Sequence, residues 1–409
     1  MESLVSQPGE PLIRFGTPAK GEVAVSQKRF FLSPSQKIDP AQQWMLPVCF
    51  KTGATTQDCQ ILTPATKTLK TPSAPFFFAN ARGVGYYRSA YPAELYKKLV
   101  AQVETGLTPT ERILLTGDEW AQVRANSLPV GDYLDLLAAV KNDSNDAVLN
   151  STLGGFSAIK GRVASTQAQR DALNAWVRAT FAPVYAKLPA PTAQDTPNAR
   201  ALRTTLFGLL GSSKEPSALA EARTIAAKYL SDPTSVDPTL AHVALSITVE
   251  NGDAQLFDQL QKIFETSTNP ERQEGALRLL PQFNNPELVQ RALDYAVSGK
   301  VRNQDSAVLI IIALSKPETR EQAWNFIKDN WTKVQAQLTT AMGGYLVGST
   351  GTFCSAEARE DVKQFFTTHP VPSSDRAFRN ALEHIDGCIE LRTLQGPNLD
   401  KWLTTHNSK

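Results

Sequence analysis

The sequence predicts a multidomain α+β protein, with a small antiparallel β-sandwich over residues 1–91 and a large all-α superhelical solenoid over residues 92–409. Three observations predict it. Short β-rich runs separated by Gly, Pro and Ser clusters fill the first 91 residues. The apolar period turns helical at Pro92. Farther along, helix-start signals recur about every 16 residues, the length of a three-turn helix plus a short loop.

The strand-like runs come in order. Pro11-Leu12-Ile13-Arg14-Phe15 is closed by Gly16, and Val23 and Val25 alternate with Glu22, Ala24 and Ser26 before Phe30-Phe31-Leu32 and Ser33-Pro34. Trp44 to Phe50 is bounded by Lys51-Thr52-Gly53, and Phe76-Phe77-Phe78 precedes Asn80 and two glycines. Period-2 runs with this punctuation are the signature of a sandwich.

Beyond Pro92, Leu95, Leu99 and Val103 share one helical face. Thr108-Pro109-Thr110-Glu111 is a capping box with proline at the first helical position. Leu173, Val177, Phe181, Val184 and Leu188 form a second stripe. Asp237-Pro238, Asn269-Pro270, Asn285-Pro286 and Lys316-Pro317 each place proline at a helix start, with Asp253-Ala254 and Asn303-Gln304 in the gaps. Two such helices make a hairpin of about 32 residues, within the range of stacked α-hairpin repeats of the HEAT/armadillo-like kind. Each hairpin would bury its stripe (Leu256, Leu260, Ile263; Leu288, Ala292, Leu293, Ala296) only against the next.

Length and composition bound the function. The 409 residues suggest roughly two or three domains. A net charge of +2, with no dense Lys/Arg run interleaved with aromatics, argues against nucleic acid as a partner. The longest apolar stretch, Ala307 to Leu314, is eight residues, far short of the ~20 that span a bilayer. Met1-Glu2-Ser3-Leu4 runs into Gln7-Pro8-Gly9 without a secretory n- or h-region. As written, the chain is expected to stay where it is made, and its compartment is unknown.

No catalytic, cofactor-binding or metal-binding residue set is legible. The four histidines, His242, His369, His384 and His406, include no His-Glu-x-x-His, so the helical zinc site of a metallopeptidase cannot be built from them. His384 and Cys388 lie four apart, with Cys354 and His369 nearby, but the spacing favours a half-exposed histidine and a core cysteine over zinc ligands. Cys49 and Cys59 sit in neighbouring strand-like segments. For that pair, as for Cys354 and Cys388, free buried thiols are favoured over disulfides. Gly83-Val84-Gly85 lacks the third glycine of a dinucleotide loop, and Gly208 to Lys214 lacks Walker spacing.

Several stretches resemble the C-terminal half of the aminopeptidase N-type zinc metallopeptidases. Gln7-Pro8-Gly9-Glu10-Pro11, Gln27-Lys28-Arg29-Phe30 and Trp44-Met45-Leu46-Pro47-Val48 are similar to that family's sandwich strands. Asn80 to Tyr91, with Gly85-Tyr86-Tyr87-Arg88, resembles its Asn-x-x-Gly-x-Tyr-Arg-Val-x-Tyr segment with Ser89 in place of Val, and Arg112 and Asp118 continue it. Val301-Arg302-Asn303-Gln304-Asp305 and Ala323-Trp324-Asn325-Phe326 to Asn330-Trp331 resemble signatures of its helical region, while Cys388 and Leu391 replace the usual Asn and Trp. The match keeps its order nearly end to end.

The resemblance implies a non-catalytic region that walls an active-site chamber and limits substrate access. The Gly-x-Met-Glu-Asn loop, His-Glu-x-x-His and transition-state Tyr belong to a catalytic domain upstream, where zinc is expected. The expected partners are that domain and peptide substrates, and the chain alone is predicted inactive. Arg302 is the one candidate for peptide contact, weighed against a structural hydrogen-bonding role, and Trp324 and Trp331 read as core. The alternative is a stand-alone α-solenoid that binds peptides or a partner without peptidase activity. An in-frame His-Glu-x-x-His region ahead of Met1 would separate the two.

Overall fold

A computed structural model describes residues 2–33, 42–53, 57–63, 65–71, 76–192 and 194–406. Pro34, which closes one predicted strand, lies outside the described residues. The chain divides into two compact units, residues 1–205 with 393–409, and residues 206–392.

Among the described residues, the first unit opens with a short helix α1 (Glu2–Val5) and seven strands in two sheets. These are β1 (Glu10–Phe15), β2 (Glu22–Phe30), β3 (Leu46–Lys51), β4 (Gln57–Leu62), β5 (Thr66–Lys70), β6 (Phe78–Ala79) and β7 (Arg88–Ala90). One sheet runs β5-β2-β1-β7 and the other β4-β3-β6. β1 pairs antiparallel with β2, Glu10 opposite Phe30 and Phe15 opposite Val25, and parallel with β7. That register turns Ile13, Phe15, Val23 and Val25 inward, against Leu46, Val48 and Phe50 of β3. The alternation in the sequence is therefore the alternation of burial. Gln27 ties β2 to the segment leading into β3 by a two-way bond with the Trp44 backbone, its amide donating to the carbonyl at 2.9 Å and its oxygen accepting from the N–H at 2.8 Å. Gly9 has φ +101°, and a Cβ there would sit 2.5 Å from Arg29 Nε, so the turn into β1 requires glycine.

Both cysteine pairs are disulfides, which corrects the expectation of free thiols. Cys49 and Cys59 stand directly opposite in the β3–β4 ladder. Cys354 and Cys388 join two segments of the second unit.

The helices of this unit begin with α2 (Ala93–Val100), α3 (Val103–Gly106), α4 (Pro109–Arg124), α5 (Val130–Ala139), α6 (Asp146–Ala158) and α7 (Gln167–Tyr185). The capping box at Thr108 forms as read, with Thr108 N–H donating to Glu111 at 2.8 Å and Glu111 N–H to Thr108 Oγ1 at 3.4 Å. Leu173, Val177 and Phe181 of α7 are fully buried, but the helix stops at Tyr185, two residues after Pro183, so Leu188 is not part of the stripe. Residues 393–406 return to this unit. The fully buried Gln395 side chain accepts from Val130 N–H at 3.0 Å and donates to the Val123 and Leu128 carbonyls. Trp402 Nε1 donates to Asp135 at 2.9 Å, over Gly131, where a Cβ would come within 2.6 Å of the indole.

After α8 (Pro197–Ser212), the second unit holds α9 (Pro216–Ser231), α10 (Pro238–Glu250), α11 (Ala254–Thr266), α12 (Pro270–Leu279), α13 (Pro286–Ala296) and α14 (Asn303–Ser315). It continues through α15 (Arg320–Asp329), α16 (Trp331–Gln337), α17 (Thr340–Ser349), α18 (Ala356–Thr368) and α19 (Asp375–His406), the last turns of which belong to the first unit. The starts read at Pro238, Ala254, Pro270 and Pro286 form with side-chain caps, whereas α14 begins at Asn303 itself, after Arg302 at the N-cap. Asp237 accepts from Thr239 and Leu240 N–H, Asp253 from Leu256, Asn269 from Arg272 and Asn285 from Glu287. Lys316-Pro317 differs: Pro317 sits in a turn and the helix starts at Arg320, whose N–H donates to the Lys316 carbonyl at 2.9 Å. α9 packs on α10, α11 on α12 and α14 on both α13 and α15. The Ala307–Leu314 run lies in α14, which also meets α16 and α17, so it is apolar on nearly every face because protein surrounds it. Among the described residues no helix is long and apolar enough to cross a membrane.

Candidate functional site

The segments that carry the family resemblance are mostly structural joints. Asn80, in the left-handed region at φ 60°, closes a loop onto Gly85, accepting its N–H at 2.7 Å and donating to its carbonyl at 2.8 Å. Arg88 reaches Glu10 at 3.1 Å and Asp118 at 3.3 Å, while Ser89 N–H donates to Asp118 at 2.9 Å, so β7 is tied to α4. Arg112 spans the Leu107 carbonyl at 2.7 Å and Asp143 at 3.1 Å. Trp324 is a core residue whose indole N–H donates to Asp361, and Trp331 packs edge-on to Phe365.

Glu111 is 1% exposed and its carboxylate takes Lys51 Nζ at 2.7 Å, Arg82 N–H at 3.0 Å and Thr108 N–H at 2.8 Å. Burial opposes its ionisation, but the Lys51 ammonium and the backbone amides outweigh that and hold its pKa below the usual value. Two helical turns on, burial pushes Asp118 up to about 7 against the pull of Ser89 N–H and Arg88. Glu119 is also held well above the usual carboxylate range, through burial and the neighbouring charges of Asp118 and Asp132. Its Oε1 is enclosed without a partner among the described residues, as are both amide atoms of Gln122.

Arg302 stands at the N-cap of α14, with its side chain 73% exposed and Nε on Asp305 at 2.8 Å. Its acceptor lies within its own helix's first turn rather than in a neighbouring loop, and most of the guanidinium faces solvent. The four cysteine and histidine positions considered for a metal do not converge. Cys354 and Cys388 are bonded to each other, and His369 stacks on Phe365. Among the described residues no group of three His, Cys, Asp or Glu could hold a metal ion.

The structure forms a cavity that the sequence did not single out, about 250 Å³ between α9, α10, α11 and α12. Leu245, Leu260, Ile263, Ala276 and Leu279 make its walls, and His242, Ser246 and Arg272 bring polar groups to it. Its residues are spread over more than fifty positions on four helices, so no local spacing marks it.

The fold, the tethered β7–α4 joint and the ordered motifs define a class. The chain belongs to the ERAP1-like C-terminal domain family, whose model matches residues 76–387. It is similar to aminopeptidase 2 of Candida albicans, 24% identical over 406 residues, 97% of this chain and 44% of that protein. It is also similar to mitochondrial aminopeptidase 2 of Saccharomyces cerevisiae, 23% identical across 92% of this chain and 40% of that protein. A third relative is endoplasmic reticulum aminopeptidase 2 of Bos taurus, 24% identical across 99% of this chain and 44% of that protein. The chain thus spans less than half the length of each of these relatives. These matches bear out the resemblance to the C-terminal region of an aminopeptidase N-type enzyme.

Proposed function

We propose that this chain serves as the non-catalytic C-terminal region of a zinc aminopeptidase that releases N-terminal residues from peptides. It walls the active-site chamber and limits which substrates enter. The observation that carries the reading is the family match over residues 76–387 together with relatives that are aminopeptidases of more than twice the matched length. In this reading residues 1–91 are a sandwich domain and residues 92–409 a helical domain of stacked α-hairpins in a HEAT/armadillo-like solenoid. The even spacing of starts at Pro238, Ala254, Pro270 and Pro286 supports the repeat. Zinc and the water-activating residues belong to the catalytic domain, the chain's partner in the same polypeptide.

The surface of the β-region supports a docked neighbour. Among the described residues, six of the seven large exposed hydrophobics, Val5, Leu32, Met45, Ile61, Val84 and Tyr86, lie in the first 91 positions, which supports cover by another domain. Arg302, with its exposed guanidinium, is the proposed peptide contact.

A chimera tests the access role. With this chain in place of the matching region of the Candida aminopeptidase, the enzyme should retain zinc-dependent cleavage and change its discrimination between short and long peptides. Cleavage with the parent's length profile intact, or an unchanged profile after deletion of the region, would refute the role.

A further inference from the structure

We propose that the cavity between α9, α10, α11 and α12 is a binding site for a small aliphatic carboxylate. Its volume of about 250 Å³ falls just below the ~300–1,000 Å³ of drug-sized sites, so it suits a ligand of few heavy atoms. Leu245, Leu260, Ile263, Ala276 and Leu279 surround the apolar part.

The polar groups are placed as a head-group cradle. His242 and Ser246 lie four apart on α10, hence on one face, and both line the cavity. The exposed imidazole lies edge-on to Tyr229 with ring centroids 6.3 Å apart, and among the described residues neither it nor the half-buried Ser246 hydroxyl has a hydrogen-bond partner. Arg272 is held at the wall by one Nη donating to the Leu230 carbonyl at 3.0 Å, which leaves further N–H donors on the same guanidinium. Arg278 is engaged by Glu274 at 2.6 Å. Glu271, in the first turn of α12, is the one carboxylate of the lining and is exposed at the rim, as are His242 and Arg278. Donors and positive charge therefore dominate the cradle, and the complementary head is an anion with two oxygens.

Gly275 gives independent support. Glycine is among the least favourable residues inside a helix, yet Gly275 lies within α12. A Cβ there would meet nothing within 4 Å, so packing does not demand glycine. It lines the cavity, and its missing side chain keeps the space open.

The test titrates the full chain with hexanoate, hexan-1-ol and hexylammonium, read by ligand-observed NMR. Hexanoate should bind tightest, and Gly275→Leu, whose Cβ meets no atom within 4 Å and whose branch extends the side chain into the cavity space, should weaken it at least tenfold. Gly344→Leu, at a helical glycine with equal room outside the cavity, should leave binding unchanged and controls for the helix. His242→Ala with Ser246→Ala should bring hexanoate down to the level of hexan-1-ol. Preference for hexylammonium would overturn the proposal by assigning the head group to Glu271. So would hexanoate binding unaffected by Gly275→Leu, or no binding of any of the three.

Discussion

Glu111→Ala perturbs a buried carboxylate that accepts from three donors. The wild-type side chain is 1% exposed and accepts from Lys51, Arg82 N–H and Thr108 N–H. Its loss removes half of a capping box, worth about 1 kcal/mol. It also strands the Lys51 ammonium, whose side chain is 5% exposed. Breaking a buried pair from one side costs about 3–5 kcal/mol, because the remaining charge stays desolvated. The two losses share one group and do not simply add, so about 3–5 kcal/mol is expected for the whole. A chain of two units need not unfold in one step, so the readout should be local. Hydrogen exchange of peptides covering 78–124 should accelerate at least about a hundredfold, the factor that roughly 3 kcal/mol implies. Adding Lys51→Met should restore most of the protection, since an apolar pair of similar volume is often neutral. Exchange unchanged in Glu111→Ala, or a double variant no better than the single, would refute the reasoning.

Other predictions follow from single contacts. Asp118 has a folded pKa of about 7 against an unfolded carboxylate near ~3.9. Its contribution is therefore full below the unfolded value and is lost as pH rises through the folded one. Asp118→Asn should flatten the fall in stability between about pH 4 and 7 seen by chemical denaturation. Glu111 has the opposite sign: its pKa is depressed, so its stabilisation is present above the ordinary carboxylate range and fades as acid protonates it. Replacing Cys354 and Cys388 by Ala, across a separation of 34 residues, should cost about 3–4 kcal/mol by the loop-entropy relation, measurable as a lowered urea midpoint. Gly131→Val drives a side chain into Trp402 and should cost about 1–3 kcal/mol, visible in thermal melts; an unchanged melt would show that α5 and the last turns of α19 separate easily.

Local chemistry was legible in the sequence. Four residues, Thr108 to Glu111, specify a capping box, and Asx-Pro pairs specify three helix starts, because each signal is satisfied within a few positions of itself. Lys316-Pro317 misleads because proline is equally suited to the turn before a helix. β5 was not singled out, since Thr66-Lys67-Thr68-Leu69-Lys70 buries only Leu69 and carries little apolar alternation. The disulfides depend on strand register and helix placement, which separations of 10 and 34 residues do not encode. Gln395 is harder still: its partners at Val123, Leu128 and Val130 are at least 265 residues away. The aliphatic cavity has the same origin, with four helices contributing one or two turns each.

The central claim is that the hydrolytic machinery belongs to another domain. It is tested most directly by supplying the purified chain with zinc and following aminoacyl anilide hydrolysis with and without a chelator. The account predicts no chelator-sensitive turnover, and robust turnover abolished by chelation would contradict it.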